Sequence, residues 1–236
     1  MFCADTRQEL DKRTLDDKEG ERLAVVEMLQ NAGLEVRPGI VSGDAGIISP
    51  GVTESVTETG HGYILQIKGN SGAAFDEVVN LPWEKVRVFS NEYDEGHGRE
   101  EIRSTKAIDV EHFDVDELDK YSNIGVVLQV ERFSLQTATQ RLSHEVSYYI
   151  GDTIAASLSL ESQARYIRDH WAIESLHWIK DVVLKEDASF QRCANGSRIL
   201  ATVRSVVIKY GRLMYDSPKR FIDEFSANPS GLAFAL

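Results

Sequence analysis

Two stretches of the sequence carry side chains whose types and spacing could do chemistry. The first runs Tyr166-Ile-Arg-Asp-His-Trp-Ala-Ile-Glu-Ser-Leu-His-Trp-Ile-Lys-Asp181. Wound as a helix, it sets His170 and Trp178 one turn to either side of Glu174, with His177 at i+3. Asp181, seven residues on, returns to nearly the same face. Taken alone, that spacing favours a plain arrangement: an amphipathic helix with core indoles, whose His and Glu make hydrogen bonds. The second stretch is centred on Asp44, which ends the short apolar run Ile40-Val41 and stands between Gly43 and Ala45-Gly46. Its carboxylate is expected at the C-terminal edge of a strand, where open α/β sheets hold ligands, although an Asp in a surface turn would read the same way. An Asp and a distant Glu brought together could chelate a divalent cation through oxygen, as Mg²⁺ requires. Cys3 and Cys193 lie far apart without CxxC spacing, so no metal site is expected on sulfur and two reduced thiols are.

The elements that would position these residues follow from periodicity. A helix is expected from about Lys18 to Ala32, with Leu23, Val26, Met28 and Leu29 on its apolar face and Gly33 as C-cap. After a turn at Arg37-Pro38-Gly39 comes the run ending at Asp44, and His61–Lys68 is the next strand. From about Asn70 to Ile150 the period shifts towards two. Lys85–Ser90, Glu101–Ile108, Ile124–Phe133 and Glu145–Ile150 read as strands. The remainder is helical, from about Leu160 to Leu184 and from about Ser197 to Tyr210. Helix, strand, helix, strand, then strands only, then helices describes an α/β core interrupted by a β-rich insertion. The boundaries fall at 1–70, 71–155 and 156–236.

The chain has 236 residues and a formal net charge of -12. A protein that coats nucleic acid indiscriminately would need the opposite balance, because such binding runs on Lys and Arg meeting phosphates. The charge is uneven, however. Residues 1–60 hold six Lys/Arg against twelve Asp/Glu, whereas residues 190–213 hold Arg192, Arg198, Arg204, Lys209 and Arg212 and no acid. A carboxylate-bearing centre beside a basic face remains compatible with DNA work. No apolar run approaches a membrane span, and the charged first residues do not read as a signal peptide, so a cytoplasmic protein is expected.

Four ordered motifs carry a family resemblance over nearly the whole chain. Arg168-Asp-His-Trp-Ala-Ile-Glu-Ser-Leu-His-Trp-Ile-Lys-Asp-Val182, followed by Lys185-Glu186-Asp187-Ala188-Ser189, resembles the HWxIENxLHWxxDVxxxEDxS signature of H-repeat-associated DDE transposases. The likeness runs on through Arg192, Asn195, Leu200, Ala201 and Arg204. Lys68-Gly69-Asn70 is similar to the family's KGN strand end. Asp44-Ala45 precedes it at the spacing of the family's second catalytic Asp. Gly96-His97-Gly98-Arg99, with Glu101 and Arg103, resembles its GHGRxExR motif.

That resemblance implies an RNase H-like core whose acids bind Mg²⁺ (or Mn²⁺), with Asp44 as the second ligand and Glu174 as the third. It implies DNA cleavage and strand transfer at the ends of an insertion sequence. Arg165, Arg168, Lys68, Arg192 and Arg204 would be phosphate contacts, Trp171 and Trp178 packing that fixes Glu174, a homodimer the pairing unit, and the nucleoid the location. The strand bearing the family's first Asp would precede Met1, since Met1-Phe2-Cys3-Ala4 is similar to the end of the second strand and Asp5, Asp11, Asp16 and Asp17 do not match. The alternative is therefore an inactive remnant that retains DNA or partner binding only. Glu174-Ser175-Leu176 is also one residue shorter than the family pattern, which turns His177 and Asp181 by about 100° on a helix.

Overall fold

Tyr63, Ile64, Leu65 and Ile67 form a strand that is apolar on both faces, and such a strand belongs inside a sheet covered on both sides. In the computed structural model this segment is buried almost throughout. The structure describes residues 2–3, 8–9, 20–32, 39–96, 98–184, 194–214, 220 and 223–224. The chain divides into two compact units, one of residues 15–170 and one of residues 1–14 with 171–236.

The larger unit is built on a six-stranded mixed sheet. Its strands in chain order are β3 (Ile40–Gly43), β4 (Gly62–Ile67), β5 (Ser90–Gly96), β6 (Arg99–Asp109), β7 (Ile124–Gln136) and β8 (Arg141–Asp152), and their order in space is β3-β4-β8-β7-β6-β5. Only β3 and β4 run parallel; every other pair is antiparallel. Strands expected as an insertion thus continue the same sheet, because β8 returns to pair with β4 from Ile64↔Gly151 to Ile67↔Tyr148. The helices are α1 (Gly20–Ala32), α2 (Pro50–Glu58), α3 (Ala73–Val79), α4 (Thr153–Ala156) and α5 (Leu160–His170).

Helices cover both faces of the central strands. On one face Ile64, Val126, Leu128 and Tyr149 pack with Ala155 of α4 and Ile167 of α5. On the other, Tyr63 donates its hydroxyl to the Ser122 carbonyl at 2.8 Å. Ser122 is held in turn by Thr53 and Thr57 of α2. Phe75 of α3 meets Tyr148 edge-on, with ring centres 6.0 Å apart.

Three expectations differ from what is observed. In α1 the buried residues are Ala24 and Leu29, while Leu23 is exposed, so the stripe is rotated from the one read in the sequence. Lys85–Ser90 is not a strand: Trp83–Lys85 forms a 3-10 turn, with the Trp83 indole donating to the Val78 carbonyl, and the strand begins at Ser90. The long C-terminal helix is three pieces: α5, then α6 (Ala172–Trp178), then a π-helical turn over Ile179–Val183 closed by the Leu184 N–H on the Ile179 carbonyl at 2.9 Å.

In the smaller unit β1 (Phe2–Cys3) pairs with β2 (Gln8–Glu9), and Leu176 and Ile179 pack on Ile208 of α7 (Ala194–Met214). One apolar period conceals two anchors, Ile167 in the sheet core and Leu176–Ile179 on α7.

Two buried acids specify the sheet. Glu101 is 4% exposed and lies against Arg99 at 3.1 Å, Arg103, and Arg132 at 3.8 Å. These are the charged residues of the Gly-His-Gly-Arg motif joined by an arginine from the neighbouring strand. Asp152 is 1% exposed; its Oδ1 accepts the N–H groups of Tyr63 at 3.1 Å and Ala155 at 2.9 Å, which caps α4 and ties it to β4. Oδ2 is buried with no hydrogen-bond partner among the described residues. Burial raises the Asp152 pKa above the ordinary carboxylate value, while the backbone hydrogen bonds oppose that shift. A carboxyl so raised stabilises the fold most fully below the ordinary Asp range, and that contribution is lost as pH rises through the raised value. Denaturant melts between pH 4 and 8 should therefore show a stability decline in the native chain that Asp152→Asn removes. Asp152→Ala, which also loses the cap, should cost about 1–2 kcal/mol.

Candidate functional site

The parallel pairing of β3 with β4, from Ile40↔Gly62 to Gly43↔Leu65, brings both C-terminal ends to one edge of the sheet. Asp44 leaves β3 there, and Lys68-Gly69-Asn70 leaves β4. Asp44 is exposed. Its Oδ1 accepts the Gly46 N–H at 2.9 Å, closing a turn, and Oδ2 accepts no hydrogen bond from a described residue. The carboxylate is thus fixed by one oxygen and open at the other.

Glycines make this geometry possible. A Cβ on Gly43 would lie 2.2 Å from Ile47 Cδ1 and 3.1 Å from Leu65 Cδ2, so the absent side chain lets Ile47 fold back under the strand end. A Cβ on Gly46 would come 3.1 Å from Asp44 Oδ1. The strand is also tied to α5, where Ser42 Oγ and His170 Nδ1 are 3.3 Å apart. Ser42 and Asp44 are two residues apart, which is the strand period.

The remaining sequence candidates are placed as follows. Lys68 is exposed and precedes the 3-10 turn Gly69–Ser71. Arg165 is exposed, 3.9 Å from Asp169 and above the Tyr166 ring at 5.4 Å. Arg168 bonds Glu92 of β5 at 2.9 Å. Arg204, on α7, donates to the Leu184 carbonyl at 3.3 Å. Arg192 lies outside the described residues. Glu174 is on α6, in the smaller unit, and its side chain is outside the described set. Trp171 and Trp178 are 40% and 48% exposed, so neither indole is the core residue expected. His177 and Asp181 are exposed, the latter within the π-helical turn. Among the described residues no three His, Cys, Asp or Glu side chains group closely enough to hold a metal. Sequence reasoning gave no role to Asn70 and Arg22, which meet the Asp44 turn through contacts distant in sequence, or to Ser42 of β3, which meets the distant His170.

Residues 8–208 match the family model described as "Transposase DDE domain". The chain belongs to the DDE transposase family. Over 204 residues it is 30% identical to two proteins of Escherichia coli strain K12, "Putative protein YbfL" and "H repeat-associated putative transposase YhhI". Each alignment covers 82% of this chain and 52% of the relative. Over 205 residues it is 28% identical to "Putative transposase YncI" of Escherichia coli O157:H7, covering 81% of this chain and 50% of that protein. The family read from four ordered motifs is thus the one matched. The chain spans about half the length of the curated relatives it matches. No helix of the described residues is long and apolar enough to cross a membrane.

Gly43 offers a direct check on how Asp44 is held. Gly43→Val must displace Ile47 and Leu65, and the overpacking should lower stability by about 1–3 kcal/mol, read as a shift in the urea midpoint.

Proposed function

We propose that this chain carries two of the acids of an RNase H-like transposase centre, Asp44 and Glu174, and acts in divalent-metal-dependent cleavage and strand transfer of insertion-sequence DNA. One observation carries the reading. In a chain of the DDE transposase family, the Asp at the C-terminal end of a parallel strand presents an exposed carboxylate with one oxygen uncommitted among the described residues. The donor chemistry fits, since a hard cation such as Mg²⁺ or Mn²⁺ takes carboxylate oxygens such as the open Oδ2 of Asp44. When bound, such ions activate the attacking oxygen and stabilise the leaving one in an in-line displacement at phosphorus.

The chain's own residues supply position and counter-charge. Asp44 is held by its turn, and Glu174, on α6, is the other proposed ligand. Lys68, Arg165, Arg168, Arg192 and Arg204 are the proposed phosphate contacts. Arg168 has to exchange Glu92 for phosphate. A homodimer that pairs two element ends, and a nucleoid location, belong to the same reading.

The test is Mn²⁺-dependent nicking of DNA carrying the element's inverted ends by the purified chain. Asp44→Asn and Glu174→Gln should each remove several kcal/mol of transition-state stabilisation, at least about a hundredfold in rate. Nicking that either variant leaves at the native rate would sink the assignment. Native chain that binds the DNA and Mn²⁺ without nicking would instead support the binding-only remnant.

A further inference from the structure

We infer that Asn70, the last residue of the Lys-Gly-Asn motif, is a positioning residue that clamps the turn bearing Asp44, with Arg22 as a second strut. The inference rests on the reading of Asp44 as a metal ligand. It adds how that ligand is aimed.

The turn Asp44-Ala45-Gly46 lies beyond the β3–β4 ladder, whose register ends at Gly43↔Leu65, so the Ala45 and Gly46 carbonyls find no partner in it. Each is taken by a side chain from a different element. Asn70 Nδ2 donates to the Ala45 carbonyl at 2.6 Å, from the 3-10 turn that follows β4. Arg22 Nε donates to the Gly46 carbonyl at 3.1 Å, from α1. Ala45 itself is buried. The backbone is thus held on both sides of the one internal bond that orients the carboxylate, Gly46 N–H on Asp44 Oδ1 at 2.9 Å.

These bonds have a geometric consequence. With Ala45 and Gly46 fixed, Asp44 Oδ1 is committed inward, and Oδ2 is the oxygen left for a ligand. Asn70 follows β4 as Asp44 follows β3, so the parallel register that brings both strand ends to one edge also brings the amide to the turn. An Asn suits the task because its amide is a neutral donor that adds no charge beside the carboxylate. Side chains that orient a first ligand in this way typically change metal affinity by about 10- to 100-fold when removed.

The test uses the full chain with Mn²⁺ as probe, its binding followed by loss of the free-ion electron paramagnetic resonance signal. Amide hydrogen exchange is measured in parallel. Asn70→Ala should weaken Mn²⁺ binding about tenfold and speed exchange of the Gly46 amide about tenfold. The Ile64 and Leu65 amides should keep native exchange, which shows that the sheet is folded. Asn70→Ser, which retains a hydroxyl donor, should recover part of both effects, and Arg22→Ala should move both in the same direction by less.

Mn²⁺ binding that Asp44→Ala abolishes and Asn70→Ala leaves intact would overturn the inference while the ligand reading stands. Unchanged Gly46 exchange in Asn70→Ala would also overturn it. A native chain that takes up no Mn²⁺ would overturn the ligand reading, and with it any functional meaning for a clamp that exchange still detects.

Discussion

The candidate site depends on one short piece of parallel pairing. β3 contributes four residues at the edge of the sheet, and its hydrogen-bonded neighbour among the described strands is β4. β4 cannot slip, because its side chains are packed on both faces and a one-residue shift would exchange its two buried faces. β3 borrows that certainty. With Gly43 opposite Leu65, Asp44 can only emerge at the C-terminal edge, beside the segment that leaves β4. Pairing with β8 on the far side of β4, over Ile64–Ile67, fixes the same strand from the other direction. The antiparallel strands β5–β8 therefore contribute to the site without lying at it: they make β4 internal, and an internal β4 sets where Asp44 stands.

How much of this was legible in the sequence varies with how local its cause is. The strand over Tyr63–Ile67 and the strands of the long hairpins were readable because their apolar residues repeat at the strand period or run unbroken between turn signals. Asp44 was readable as a strand-end acid from Gly43 and Ala45-Gly46 around it. The helix between β3 and β4 was expected without residues assigned. α2 buries Thr53 and Ser55 beside Val52 and Val56, so its inward face does not look apolar. Ser49 followed by Pro50 was the available signal, a side-chain N-cap with proline at the first helical position. The break after His170 was not readable, since the apolar period continues through it. The clamp on Asp44 was not readable at all. Its donors lie 25 and 24 residues from the carbonyls they meet, and Asn and Arg in loops and exposed helix faces are unremarkable in composition.

The buried charges show why the same sequence is acidic and yet rich in arginine motifs. Glu101 draws Arg99, Arg103 and Arg132 into one cluster across adjacent strands, and Arg132 also meets Glu145. A lone carboxylate at that depth would be costly; several guanidiniums supply the hydrogen bonds that make it tolerable, and Arg pairs well because its planar fork is preorganised. The charged residues of the Gly-His-Gly-Arg motif are therefore largely a structural ion cluster.

Pairing with carboxylates also limits how the arginines of an acidic chain could hold phosphate. Arg168 is engaged by Glu92 and Arg165 by Asp169. A phosphate approaching either of them gains the cation only by releasing a carboxylate, so the net attraction is smaller than the arginine count suggests. Exposed pairs of this kind are worth about 0–1 kcal/mol each, so the exchange is not prohibited, merely weak. On the proposed reading, Asp44 and Glu174 would repel phosphate until a divalent cation offsets their charge, since a bound ion can be the largest local charge in such a site. On that same reading, arginines already paired with carboxylates would leave DNA capture dependent on metal occupancy.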